Sequence, residues 1–303
     1  MKNLLTGLLL AVSAPSWACD ACAGVSGNQS LGILPQYSNH FVGLQGQIRR
    51  FSSVHPALTD AKPDTRTEET YRTLQLWGKY NVTDKLKLFG FVPYNANMQQ
   101  QQGSAQTTNA GLGDISLIAN WVVLKSADTS SYPRHRLQAG GGVKLPTGKF
   151  VKSTGSTDLP MMQLGTASWD ALLNANYTVR GERTGLLWDA TYTLTTPNSL
   201  SYKYGNRLLT NMLGFRTWQV GQATMILQAG GQYELALHDY DNFSEKWLNE
   251  QTGGSMLFGT AGLQAIYGRL GLQCSYQSPL WQKYANGHVK VKYKADAGLF
   301  FMM

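Results

Sequence analysis

The chain has 303 residues, of which only 15% are charged, and a formal net charge of +8; nothing resembling a linker divides it into domains. Its mean hydropathy is negative, and no stretch after the amino terminus approaches the roughly 18 uninterrupted apolar residues of a spanning helix, which excludes a helical membrane protein. The charge is mild for the length and its lysines do not cluster with stacking aromatics, which argues against nucleic-acid binding.

The amino terminus reads as a targeting segment. Lys2 supplies a positive start, Leu4 to Val12 an apolar stretch too short to span a membrane, and Ser16-Trp17-Ala18 a small-x-small cleavage site. Residues 1–18 are therefore predicted to be a signal peptide, 19–37 a periplasmic segment and 38–303 an outer-membrane barrel. Cleavage would leave Cys19 first, in the run Cys19-Asp20-Ala21-Cys22. Two thiols at this spacing can close a small disulfide in an oxidising compartment or chelate a soft metal ion such as Cu(I) or Zn(II), and a leading cysteine can carry a lipid. A lipid signal favours a Leu-like residue where Ser16 stands, and a structural zinc site needs four ligands.

From there the chain alternates in polarity twelve times. The predicted strands are 38 to 52, 68 to 81, 85 to 97, 111 to 125, 134 to 147, 167 to 180, 184 to 196, 206 to 219, 222 to 238, 254 to 267, 270 to 283 and 287 to 301. Short turns at 81–84, 180–183, 220–222 and 267–269 interleave with longer polar loops near 53–67, 98–110, 148–166, 197–205 and 239–253. Outer-membrane barrels have short periplasmic turns and longer external loops, and an even strand count returns both ends of the barrel to the periplasm. The predicted fold is all-β: a transmembrane antiparallel up-and-down β-barrel of about 12 strands in a bacterial outer membrane, with Gly (32), Tyr (15) and Trp (8) serving its curved wall and interfacial belts.

Side chains of a strand point alternately to its two faces, so lipid and lumen faces can be assigned. Trp169, Ala171, Leu173, Ala175, Tyr177 and Val179 face lipid in the sixth strand, and Leu186, Trp188, Ala190, Tyr192 and Leu194 in the seventh. Asp170, Asp189 and Glu234 fall on the opposite parity, inside. In the last strand Val289, Val291, Tyr293, Ala295, Ala297 and Leu299 share one face, and Lys290, Lys292, Lys294 and Asp296 share the other. The expected lumen therefore carries a basic stripe of Lys290, Lys292 and Lys294. Either it lines a pore and favours anions, or Asp170, Asp189 and Glu234 pair with it and fill the lumen. Twelve strands are expected to enclose a lumen too wide for side chains alone to fill and too narrow for a general porin, which suits a narrow or gated channel.

Gly111-Leu112-Gly113-Asp114 opens the fourth strand, and Gly140-Gly141-Gly142-Val143-Lys144-Leu145-Pro146-Thr147-Gly148-Lys149 closes the fifth. This pair resembles the outer-membrane channel family of the MetA pathway of phenol degradation, related to fatty-acid-type outer-membrane transporters. The resemblance implies a barrel that passes small, often hydrophobic or aromatic, solutes, with membrane lipid and solute as its partners and no cofactor. Some barrel transporters it resembles begin Cys-x-x-Cys-x-Cys; here Gly24 replaces the third cysteine. That departure weakens the alternative of a copper-like metal-handling component holding a soft metal ion at Cys19 and Cys22. A barrel enzyme such as a lipase is the remaining class. It needs a base beside a nucleophile, and no His-x-Ser pair occurs at any of the five histidines.

Overall fold

A computed structural model describes residues 39–55, 65–126, 131–150, 162–199, 201–242 and 245–303. The predicted signal peptide, the following segment and the Cys19 and Cys22 expectations lie outside these residues. Among them the strands are β1 (Phe41–His55), β2 (Thr65–Asn81), β3 (Leu86–Gln101), β4 (Thr107–Leu112), β5 (Ile115–Lys125), β6 (Arg134–Leu145), β7 (Asp170–Arg180), β8 (Thr184–Leu194), β9 (Tyr202–Lys203), β10 (Arg207–Val220), β11 (Ala223–Ala236), β12 (Tyr240–Asp241), β13 (Lys246–Trp247), β14 (Gly254–Tyr267), β15 (Leu270–Tyr284) and β16 (Val289–Met302).

Neighbouring wall strands pair antiparallel, and the sheet closes because β1 bonds both β2 and β16 while β2 also bonds β3. β4 and β5 are two halves of one wall strand, both paired to β3 and separated at Gly113-Asp114, so the barrel has twelve strands. β9, β12 and β13 form a small separate sheet in the loops on the long-loop side. Closure follows from the medium: hydrocarbon offers no partner for an open sheet edge, so every backbone N–H and C=O must be bonded within the wall. Strands run past several predicted ends; β2 begins at Thr65 and β3 reaches Gln101. Beyond the membrane the ladder continues without needing apolar side chains, so polarity alone ended these strands too early.

Outward residues are apolar and exposed, among them Leu74 and Leu76, Leu173, Leu227, Leu272 and Leu299, while their inward neighbours are buried. Cys274 is exposed on this outer face, as its parity predicts. The interior is largely polar, with Gln75, Lys79, Asn95, Asn120, Gln138 and Asp189 buried, but it also carries large apolar side chains. Phe41, Trp77, Phe89, Phe91, Phe215 and Phe300 point inward and belong to one buried apolar cluster weighted toward the short-turn end. Side chains of this size take up much of the lumen there. Trp77 stands edge-on to Phe41 and stacks on Phe91 at 6.4 Å between centroids, an aromatic layer across three strands.

The β5–β6 corner bends too tightly for side chains. A Cβ on Gly140 would lie 1.9 Å from Ala119 O, and one on Gly142 2.1 Å from Leu117 O, whereas a Cβ on Gly46 would meet nothing closer than 3.8 Å. Gly140→Val combined with Gly142→Val is therefore expected to abolish the folded, heat-modifiable band in gel electrophoresis of the refolded protein. Gly46→Ala should leave it intact.

Candidate functional site

Between β6 and β7, on the long-loop side, residues 162–169 turn into the barrel, with Trp169 at the end of the segment pointing out. Leu164 and Ser168 are almost completely buried, and inward side chains of the wall hold the segment by its backbone. Asn95 Nδ2 donates to Leu164 O at 3.1 Å, Asn109 Nδ2 to Met162 O at 2.8 Å, and Asn198 Nδ2 to Thr166 O at 3.2 Å. Asp114 accepts from the Thr166 backbone N–H at 2.8 Å and from the Gly148 N–H at 2.9 Å. Lys144 pairs with Asp170, lies 3.5 Å from Asp114, and donates to Thr166 Oγ1 at 2.7 Å. Gly148 and Gly165 face each other so closely that a Cβ on Gly148 would lie 2.6 Å from Gly165 Cα. The two glycine-rich motifs of the sequence thus meet here, around a buried Asp114–Lys144–Asp170 cluster that anchors the inserted segment. Their glycines admit its backbone.

On the other side of the barrel, still in the long-loop half, lies a cavity of about 100 Å³. Gln47 and Arg49 of β1, Arg207 of β10, Gln232 and Glu234 of β11, Gln277 of β15, and Lys294 and Asp296 of β16 line it, with Met256 and Tyr284. Lys294 pairs with Glu234 and sits 4.0 Å above the Phe258 ring centroid. Gln232 donates to Glu234, and Gln277 donates to Gln232 at 2.6 Å. Ser275 Oγ donates to Asp296 at 2.5 Å. Three cations and two carboxylates line this cavity, which gives its wall a small excess of positive charge. The apolar cluster lies beneath it.

No protein-family profile matches the chain, and no curated protein sequence matches it. Solved structures do. The COG4313 outer membrane channel from Pseudomonas putida F1 is similar with a TM-score of 0.63 over 88% of this chain and 96% of that one, at 14% identity. The β domain of the Bordetella autotransporter BrkA is similar with a TM-score of 0.53, over 88% of this chain and all of that one, at 11% identity. The fold is that of a bacterial outer-membrane barrel. A FadL homologue from Pseudomonas aeruginosa aligns with a TM-score of only 0.39, too low to carry an argument.

Within this outer-membrane barrel the six charged residues singled out in the sequence separate into four groups. Lys294 and Glu234 meet as an ion pair on the cavity wall. Asp170 points inward but serves Lys144 at the inserted segment. Asp189 is buried in the wall interior and accepts from Asn176 Nδ2 at 3.2 Å. Lys290 and Lys292 are exposed on the outer face, while Val289 and Val291 point inward. The stripe expectation is corrected for these two. Arg50 pairs with Tyr293 and Phe51 with Val291, so Lys292 is an extra residue that reverses the parity of β16 above it. The reversal places the valines in a buried cluster with Phe51, Phe258 and Tyr284, and the lysines at a rim where the surroundings are no longer hydrocarbon.

Two charged residues of the cavity, Arg49 and Arg207, were not singled out beforehand. Arg49 and Arg50 are adjacent and one must face each way, so alternation alone could not tell which enters the lumen; Arg207 stands at a strand end where the pattern has faded. Ser53, two residues from His55, forms a Ser-x-His pair, but its hydroxyl is buried and donates to Glu69 at 3.0 Å. Among the described residues no group of three His, Cys, Asp or Glu could hold a metal ion.

Removing one member of a buried ion cluster leaves uncompensated charge, at a cost of about 3–5 kcal/mol. Lys144→Met, which strands Asp114 and Asp170 together, is expected to destabilise the barrel by about that much, read as a lower denaturant midpoint in lipid vesicles. The same variant should make residues 162–169 cleavable by external protease under native conditions.

Proposed function

We propose that the protein is an outer-membrane channel or passive transporter for a small solute with a polar or anionic head and an apolar or aromatic body. The observation that carries this reading is the cavity beside the inserted segment. A closed barrel that served only as a scaffold would gain nothing from gathering Arg49, Arg207, Lys294, Glu234 and Asp296 around one internal space, because buried charges are costly and weak contributors to stability. The cation excess favours an anionic or hydrogen-bond-accepting group, and Phe258 and Met256 offer apolar surface beside it. Below, the aromatic layer of Trp77, Phe91 and Phe215 supplies an apolar surface over which such a body passes once side chains move. The inserted segment narrows the remaining path and restricts it to small solutes.

Refolded protein in a planar bilayer is expected to give small discrete openings that prefer anions and are blocked by benzoate and phenol. A charge about 4 Å from a passing ion is worth ~1 kcal/mol in a water-filled passage, roughly fivefold in permeability. Arg49→Gln with Arg207→Gln should therefore lower the anion-to-cation permeability ratio by at least that factor. A folded barrel with neither conductance nor solute flux into liposomes would overturn the proposal.

A further inference from the structure

The parity reversal in β16 leaves a surface that the channel reading does not use. On the outer wall, at the long-loop end of β15, β16, β1 and β2, six cations point away from the lumen: Lys283, Lys290, Lys292, Arg50, Arg66 and Arg72. Each alternates with buried inward neighbours, among them Val289, Val291, Phe51, Thr67 and Tyr71. Among the described residues Glu68 is the one carboxylate on this part of the wall; it accepts from Lys292 Nζ at 2.6 Å and lies 3.9 Å from Arg50 Nε. The side chains of Arg50, Glu68 and Lys292 are each more than 40% exposed. Glu250 belongs to an overlying loop, where it accepts from Asn286.

The height of the patch identifies what it meets. An antiparallel strand rises ~3.4 Å per residue and tilts ~40° in such barrels, so Lys292, ten residues above Met302, stands about 25 Å above the short-turn edge. That is about the thickness of the apolar band of an outer-membrane barrel. Immediately below lie Tyr276 and Tyr293, stacked at 6.2 Å, and Trp281 of β15, half exposed, stands beside the cations; together they mark an interfacial aromatic belt. The cations therefore stand at the headgroup level of the outer leaflet, with an apolar wall beneath them. Glu68 draws Arg50 and Lys292 together on the surface and leaves a large excess of positive charge.

We propose that this patch binds the phosphates of the phosphorylated glycolipid of the outer leaflet, its acyl chains lying against Leu74, Leu299 and Leu272 below. The ligand is a lipid held at one quarter of the barrel perimeter, where it shields the β1–β16 seam. Charge complementarity carries the assignment: clustered lysine and arginine at a membrane surface attract anionic headgroups.

The test is binding of the full-length refolded protein in detergent micelles to bisphosphorylated lipid A and to lipid A stripped of its phosphates. Wild type is expected to prefer the phosphorylated form. Each cation removed should cost about fivefold, so Arg50→Gln, Lys290→Gln and Lys292→Gln together should weaken binding roughly a hundredfold. Lys85→Gln, Lys125→Gln and Arg183→Gln, which remove the same charge at the short-turn end, should leave it unchanged. Lys290→Gln alone, expected to lose about fivefold, serves if the triple variant does not fold. Equal affinity for both lipids, full binding by the Lys290→Gln or triple variant, or displacement by millimolar inorganic phosphate would overturn the proposal.

Discussion

The pairing of β1 with β16 is the constraint on which the rest of the structure depends. It runs from Phe41 opposite Met302 to Ser53 opposite Val289 and removes the two edges that twelve strands would otherwise expose to hydrocarbon. Once the sheet is closed, each wall residue has one of two environments, and the sequence must alternate between them. The break in the register of this pair, at Lys292, therefore turns both solvents around at once. Below it the outside is lipid, with Lys294 and Asp296 turned inward; above it the inside is the apolar cluster around Phe51 and Phe258, and the outside carries cations.

The interior is organised by height and by side. Toward the short turns, aromatic side chains take up much of the lumen. Toward the long loops, the chain folds its own segment 162–169 into one half and leaves a charged cavity in the other. The two halves use ionic groups differently. Lys144 lies between two carboxylates and is held with the segment's backbone by a closed set of hydrogen bonds, which suits anchoring. Around the cavity, Arg49, Arg207 and Lys294 outnumber Glu234 and Asp296 and border empty space, which suits traffic.

The wall was legible in the sequence because period-two polarity in the membrane is enforced by hydrocarbon; all twelve wall strands and the lipid faces of β7 and β8 follow from it. The pairing of Lys294 with Glu234 was also within reach, since both are inward by parity. What escaped had no local signal. Val289 to Lys294 alternates without a fault, so an inserted residue is visible only through its partner strand. Phe89 and Phe91 stand among Leu88, Gly90 and Val92, where both faces are apolar and neither is marked as lumen. The glycine motifs marked a place of close backbone approach, but the segment that approaches is contributed from 162–169, beyond the hairpin the motifs delimit.

On the proposed reading, solute passes through the charged cavity and not along the side of the barrel that the anchored segment occupies. The most direct test is cysteine modification during single-channel recording, with Cys19 and Cys22 replaced by Ser and lipid-facing Cys274 retained as an unreactive reference. A negatively charged thiol reagent added on the long-loop side should step down the current through Arg207→Cys and leave Asn174→Cys, buried inside β7, unaffected. Block at Asn174→Cys with none at Arg207→Cys would put the path on the other side of the barrel and contradict the account.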